Sequence, residues 1–165
     1  MKKFLRYTLI TLGVLLVIIQ FIRPEKNLSG DDTYHLYKAY PASDEIKGIL
    51  KVACDDCHSN KTEYPWYANV QPFAWWIGGH VNDGKRHLNF SEFTSRRIAI
   101  QNHKFEEVVE MIEEDEMPLK SYTLIHRNAV LSDDQKVSLV AWANAMMDTL
   151  KANYPADSLV MPKRR

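Results

Sequence analysis

The longest apolar stretch stands at the start of the chain. Tyr7 to Ile22 are 16 residues without a charge, preceded by the basic cluster Lys2, Lys3 and Arg6. Counted from Phe4 to Ile22 the run would span about 28 Å as a helix, close to the roughly 30 Å of a bilayer's hydrocarbon core. Apolar residues occupy its whole circumference, whereas a helix lying on a globular core keeps a polar face. Residues 1–23 therefore read as one N-terminal transmembrane helix. A cleaved secretory signal is the alternative, but Gln20-Phe21-Ile22-Arg23-Pro24-Glu25 lacks a small-x-small cleavage pattern. The basic cluster assigns the N-terminus to the cytoplasm and the remainder to the outside.

Beyond Pro24 the pattern changes to short amphipathic pieces. Residues 24–43, with Ser29-Gly30-Asp31-Asp32 and Pro41 and no sustained period, read as a tether. Ser43 is a helix cap for Ile46, Ile49, Leu50 and Ala53, whose spacing predicts one apolar helical face running into Cys54. An aromatic region follows, from Tyr64-Pro65-Trp66-Tyr67 through Phe73-Ala74-Trp75-Trp76 to Gly78-Gly79-His80; its Pro and Gly residues argue against one long helix. Asn89 or Ser91 opens a further helix towards Ile100. Phe105, Val108, Val109 and Ile112 mark another, ending before Met117-Pro118. Ser132-Asp133-Asp134-Gln135 is a capping box that starts the last helix. Nothing alternates with period two, so the fold class expected is all-α, with the folded domain over residues 44–152 and a C-terminal tail over 153–165.

Charge narrows the function. The chain balances 21 Lys plus Arg against 21 Asp plus Glu. Four of those bases precede Pro24, where there is no acid, so 17 bases face 21 acids in the remainder, a net charge of −4 with His neutral. A mildly acidic domain has no broad attraction for phosphate backbones, which argues against nucleic acid as a partner. No Gly-rich phosphate loop, Gly-x-Ser-x-Gly elbow or His-Glu-x-x-His helix is present, leaving nucleotide-dependent and hydrolytic classes without support. The acidic stretch Glu113-Glu114-Asp115-Glu116 reads as a solvated helix face.

Two cysteines remain, and they fall together. Cys54-Asp55-Asp56-Cys57-His58 is the attachment signature of a c-type haem. On one helical turn two sulfurs can reach the two vinyl groups of a porphyrin, with the adjacent imidazole as the proximal iron ligand. A redox dithiol and half of a zinc site are the competing readings. Zinc usually needs a second Cys or His pair, and no second Cys pair exists; a thioredoxin-like dithiol would want a βαβ context, which the helical pattern denies.

Cys54 to Asn60, Tyr64-Pro65-Trp66-Tyr67, Trp75-Trp76 with His80, Leu88-Asn89-Phe90, and Glu116-Met117-Pro118 with Tyr122 resemble the "haem-binding domain" family of exported bacterial proteins. More broadly the chain is similar to small single-haem cytochromes c, over roughly residues 30–150. The resemblance implies a cytochrome c-like domain with one covalent haem c, cofactor ligands Cys54, Cys57 and His58, and Met117 in the loop that supplies the sixth iron ligand. His80 is the alternative ligand, since Gly78-Gly79 would let backbone approach the ring. Tyr64, Trp66, Tyr67, Phe73, Trp75 and Trp76 are expected to wall the porphyrin, Arg96 and Arg97 to meet its propionates, and Pro65 or Pro72 to orient His58 through its distal nitrogen.

The function expected from these residues is one-electron transfer by a monohaem c-type cytochrome, anchored in a bacterial inner membrane with its haem domain in the periplasm, exchanging electrons with redox protein partners. No catalytic residue is needed for that task. An open sixth position would instead give a small peroxidase-like enzyme or a haem-based sensor of small ligands.

Overall fold

The computed structural model describes residues 1–161. Among them there is no strand, and seven α-helices are linked by short 3₁₀ turns: α1 (Lys2–Ile19), α2 (Asp44–Ala53), α3 (Asp55–His58), α4 (Phe73–His87), α5 (Ile98–Glu113), α6 (Lys120–Thr123) and α7 (Asp133–Asn153). The all-α expectation holds.

Local signals explain where the helices begin. The Ser43 hydroxyl accepts from the Ile46 amide to cap α2, with Asp44 and Glu45 in the first turn complementing the helix dipole. Ser132 and Gln135 form the reciprocal capping box of α7. Asn89 caps not an α-helix but a 3₁₀ turn, Phe90–Ser95, and α5 starts only at Ile98.

Helix α5 lies along α7 in the most extensive packing of the molecule, and α2 closes one side. Leu50, Phe105, Leu139 and Ala143 form the centre of the core, joined by Ile46, Ile49, Phe93, Ile112 and Leu150. Phe105 meets Tyr40, Phe93 and Trp142 at ring distances of 5.0, 5.0 and 5.7 Å. Burying one such ring stabilises the fold by roughly 2 kcal/mol.

Residues 24–43 differ from the expected tether. Leu36 is fully buried and Tyr40 nearly so, and the Tyr40 hydroxyl bonds to Gln101 Oε1 on α5 at 2.5 Å. Asn27 is gripped from four sides: its amide nitrogen donates to Ser59 O at 2.8 Å and Thr62 Oγ1 at 2.9 Å, its oxygen accepts from Lys85 Nζ, and its backbone N–H donates to Tyr64 Oη. The segment lacks a sustained period because its one helical element is the short 3₁₀ turn Leu36–Lys38, and its contacts arise residue by residue. Part of the expected tail is likewise packed, with Leu159 of the 3₁₀ turn Ala156–Leu159 against the core; residues 162–165 of that tail lie outside the described residues.

Helix α1 also departs from expectation. No helix among the described residues is long and apolar enough to cross a membrane. Helix α1 stops at Ile19 rather than Ile22, and Lys2, Lys3 and Arg6 occupy its first turns. Beyond Ile19 the chain continues only in tight turns, with Phe21 N–H donating to Ile18 O and Ile22 N–H to Ile19 O, both at 3.1 Å.

Candidate functional site

The Cys54 to His58 segment forms at the junction of α2 and α3. Cys54 ends α2, its amide donating to Leu50 O at 2.9 Å, and its own carbonyl accepts from both the Cys57 and His58 amides at 3.1 and 3.0 Å. One tight turn therefore presents both sulfurs and the imidazole together. Both cysteines are free thiols. Burial pushes the Cys54 thiol up to about 12 and Cys57 to about 11, with the neighbouring aspartates adding to each. A redox dithiol works through a stabilised thiolate, so this environment opposes the dithiol reading.

Three contacts fix the residues between the cysteines. Tyr122 Oη donates to Asp56 Oδ2 at 2.8 Å, the Glu63 amide donates to Asp56 Oδ1 at 2.9 Å, and Thr62 Oγ1 donates to Asp56 O at 2.6 Å. Burial and the Asp56 carboxylate raise the Tyr122 phenol well above its ordinary range, keeping it a donor at neutral pH. Asp55 is also half-buried, and desolvation lifts its carboxyl to about 6.

On the other side α4 presses on the turn. A Cβ at Gly84 would stand 2.5 Å from Cys57 O and 3.0 Å from Cys57 Cβ, distances no side chain tolerates. This close approach accounts for the glycine at position 84 of α4, which runs through Gly78, Gly79 and Gly84 as one helix, against the sequence expectation of short pieces. Gly78 meets Pro24, whose Cγ lies 3.1 Å from the position a Cβ would take. Packing overrides the weak helical propensity of glycine at both points.

His58 Nδ1–H donates to the Leu88 carbonyl at 3.0 Å; a carbonyl only accepts, so the proton is on Nδ1 and the lone pair on Nε2. The orienting carbonyl is thus that of Leu88, not of Pro65 or Pro72 as expected. Leu88 reaches His58 because α4 ends one residue earlier and turns the chain back past the site. Burial holds the His58 pKa below its usual value, opposed by the Leu88 and Gly84 carbonyls, so the ring is neutral as a metal ligand requires.

An almost wholly apolar cleft opens beside Cys57, with Tyr67, Trp76, His80, Leu119, Tyr122 and His126 among its walls. Two imidazoles, His80 and His126, face it, whereas Cys54 and His58 are not among its walls. His80 Nδ1–H donates to Trp76 O at 2.8 Å and His126 Nδ1–H to Tyr122 O at 3.2 Å, each leaving the Nε2 lone pair available. His126 also stacks on Tyr122, with ring centroids 4.2 Å apart and planes 16° apart.

The remaining expected site residues disperse. Tyr64 is half-buried and its hydroxyl accepts from the Asn27 amide, tying down the N-terminal segment. Trp66, Phe73 and Trp75 do not line the cleft and are exposed; they stand on the outer side of the turn Trp66–Asn69 and the first turn of α4. Arg96 is an exposed residue that reaches Glu92 Oε2 at 3.5 Å. Met117 packs half-buried against the α5–α7 core, not in the cleft beside Cys57. Its amide donates to Met111 O in the turn that closes α5. Gly84, Leu88, Asp56 and His126 were missed in the sequence. Only the Gly content of α4 was a visible signal, and it reads ambiguously as a break or as a close approach.

The donor set suits a covalently held haem: two free thiols on one turn, an adjoining imidazole fixed through Nδ1, and apolar surface next to Cys57. A family model described as "Haem-binding domain" matches residues 14–145. No curated protein and no solved structure matches the chain.

Proposed function

The chain belongs to the haem-binding domain family, with haem as its cofactor, and from that premise we propose that it is a membrane-anchored, periplasm-facing c-type cytochrome that carries one haem c and passes single electrons between redox proteins. The turn from Cys54 to His58 carries this reading. Each thiol would add across one haem vinyl group: an S–C and a C–H bond form while the S–H bond and the vinyl π bond are lost, with no oxidant required. Protonated thiols, as burial favours here, are the form that supplies that hydrogen.

Bound haem supplies an iron(III)/iron(II) couple. His58, its ring held by Leu88, and Met117, from a loop that packs on the same core as Cys54, would hold the iron. Thioether ligation raises the potential and suits electron transfer. One observation favours a second reading: His80 faces the cleft that Cys57 lines, with its Nε2 lone pair available. Histidine ligation there, or an open position beside it, would favour a ligand-binding or peroxidase-like module.

Optical spectra of matured protein, oxidised and reduced, with and without carbon monoxide, test this. The proposal expects no carbon monoxide adduct in the parent and loss of the red charge-transfer band of a Met–iron(III) bond in Met117→Ala. An adduct in the parent together with an unchanged spectrum in Met117→Ala would overturn electron transfer through a closed site. Anchoring rests on α1, which buries none of its side chains against the rest of the chain.

A further inference from the structure

The aromatic side chains that the cleft leaves out are not scattered. Trp66 is 79% exposed, Phe73 53%, Trp75 40% and Val70 40%, and all four lie within ten consecutive positions around the turn Trp66–Asn69 and the start of α4. Tyr67 links two of them by ring contacts, to Trp66 at 5.8 Å and to Phe73 at 6.5 Å. So many large rings held in water on a rigid surface imply a partner.

The position of this patch identifies the partner. Gln71, buried in its midst, holds the end of α1: its backbone N–H donates to Gln20 Oε1 at 2.9 Å and its side-chain amide to Ile22 O at 2.6 Å. Pro24 then seats on Gly78 of α4. The apolar α1 surface is thus continuous with the aromatic surface through the exposed Phe21 and Ile22. Arg23 and Lys26 flank the join; Lys26 Nζ bonds to Asn69 Oδ1 at 2.7 Å, keeping a positive charge beside the rings.

We infer that Trp66, Val70, Phe73 and Trp75, with Phe21 and Ile22, form a collar that seats in the headgroup and upper acyl region of an anionic lipid bilayer where α1 enters it. The inference rests on the anchoring proposed above. Its length arithmetic agrees. From Phe4 to Ile19 α1 has 16 residues, about 24 Å at the helical rise, some 6 Å short of a roughly 30 Å hydrocarbon core. Interfacial apolar surfaces enter to about 5–10 Å, so a seated collar covers the deficit. Tryptophan suits this depth, with an apolar ring and a polar N–H, and Arg23 and Lys26 match anionic headgroups. The domain would then be held at one orientation, not swung on a leash, because the Gln20–Gln71 and Ile22–Gln71 bonds leave no free hinge after α1.

Lipid photolabelling tests it. The full matured chain is reconstituted in phosphatidylethanolamine/phosphatidylglycerol vesicles containing an acyl-chain diazirine phospholipid, irradiated, digested with trypsin and mapped by mass spectrometry. The expected result is adducts on α1 and on the peptide 62–85, the latter several-fold above peptide 105–120, which carries most of α5 and the loop after it. The triple variant Trp66→Ser, Phe73→Ser, Trp75→Ser should lose the labelling of 62–85 and keep that of α1. Adducts on α1 with 62–85 no higher than 105–120 would overturn the collar while leaving the anchor intact. Adducts on neither would overturn the anchor, and the collar with it.

Discussion

Two glycines five residues apart on α4 should respond in opposite directions to the same substitution. Alanine at Gly79 meets nothing within 4 Å, so it should gain the helical propensity difference of about 1 kcal/mol. Alanine at Gly84 gains the same propensity but puts its Cβ 2.5 Å from Cys57 O and 3.0 Å from Cys57 Cβ. Ordinary contact requires α4 to retreat from the turn by close to 1 Å, and the Leu88 carbonyl that holds His58 is carried on the end of that helix. Overpacking of this kind costs typically 1–3 kcal/mol, so Gly84→Ala should be neutral to about 2 kcal/mol less stable than the parent. The two variants should therefore differ by roughly 1–3 kcal/mol. Urea unfolding followed by circular dichroism on the haem-free chain measures the difference. The haem content of matured Gly84→Ala, read from the absorbance of its pyridine complex, should fall as well, whereas Gly79→Ala retains it. Equal stability and equal haem content in both variants would refute the role of the α4 approach.

Other consequences follow from the same contacts. Asn27→Ala should cost about 1–3 kcal/mol in urea unfolding by stranding its buried partners; a flexible tether would show no change. Tyr122→Phe removes a hydrogen bond to a carboxylate and should cost about 1–2 kcal/mol, with a matching loss in haem attachment yield because Asp56 lies between the two cysteines. Asp55 is raised to about 6 by burial against an ordinary value of 3.8, so the folded state binds more protons than the unfolded between those values. Stability should be greatest at the acid end of that window and fall as pH rises through about 6, by on the order of 2 kcal/mol. Asp55→Asn should flatten this dependence in thermal melts of the haem-free chain.

The parts of the fold legible in the sequence were those with periodic or local signals. Ser43 and Ser132 cap α2 and α7 where their hydroxyls say they should, and Cys54-x-x-Cys57-His58 closes a single turn. What escaped depended on contacts between distant positions. Leu36 and Tyr40 belong to the core although no period surrounds them, because a single short 3₁₀ turn buries isolated side chains. The Gly78-Gly79 pair read as a helix break, yet the close approach of Pro24 to Gly78 compensates for the lost propensity, as that of Cys57 does at Gly84. The aromatic stretch read as one wall, but its rings divide. Tyr67 and Trp76 turn to the cleft while Trp66, Phe73 and Trp75 turn outward. Composition gives the payload of apolar area and not its direction. The carbonyl that orients His58 comes from Leu88, thirty residues on, and no local pattern announces it.

Intact mass spectrometry of the chain expressed with haem-maturation machinery tests the central claim most directly, with a thiol-alkylating reagent added before analysis. The account requires a polypeptide heavier by one haem, with Cys54 and Cys57 both resistant to alkylation under denaturing conditions. A bare polypeptide that takes up two alkyl groups would contradict it.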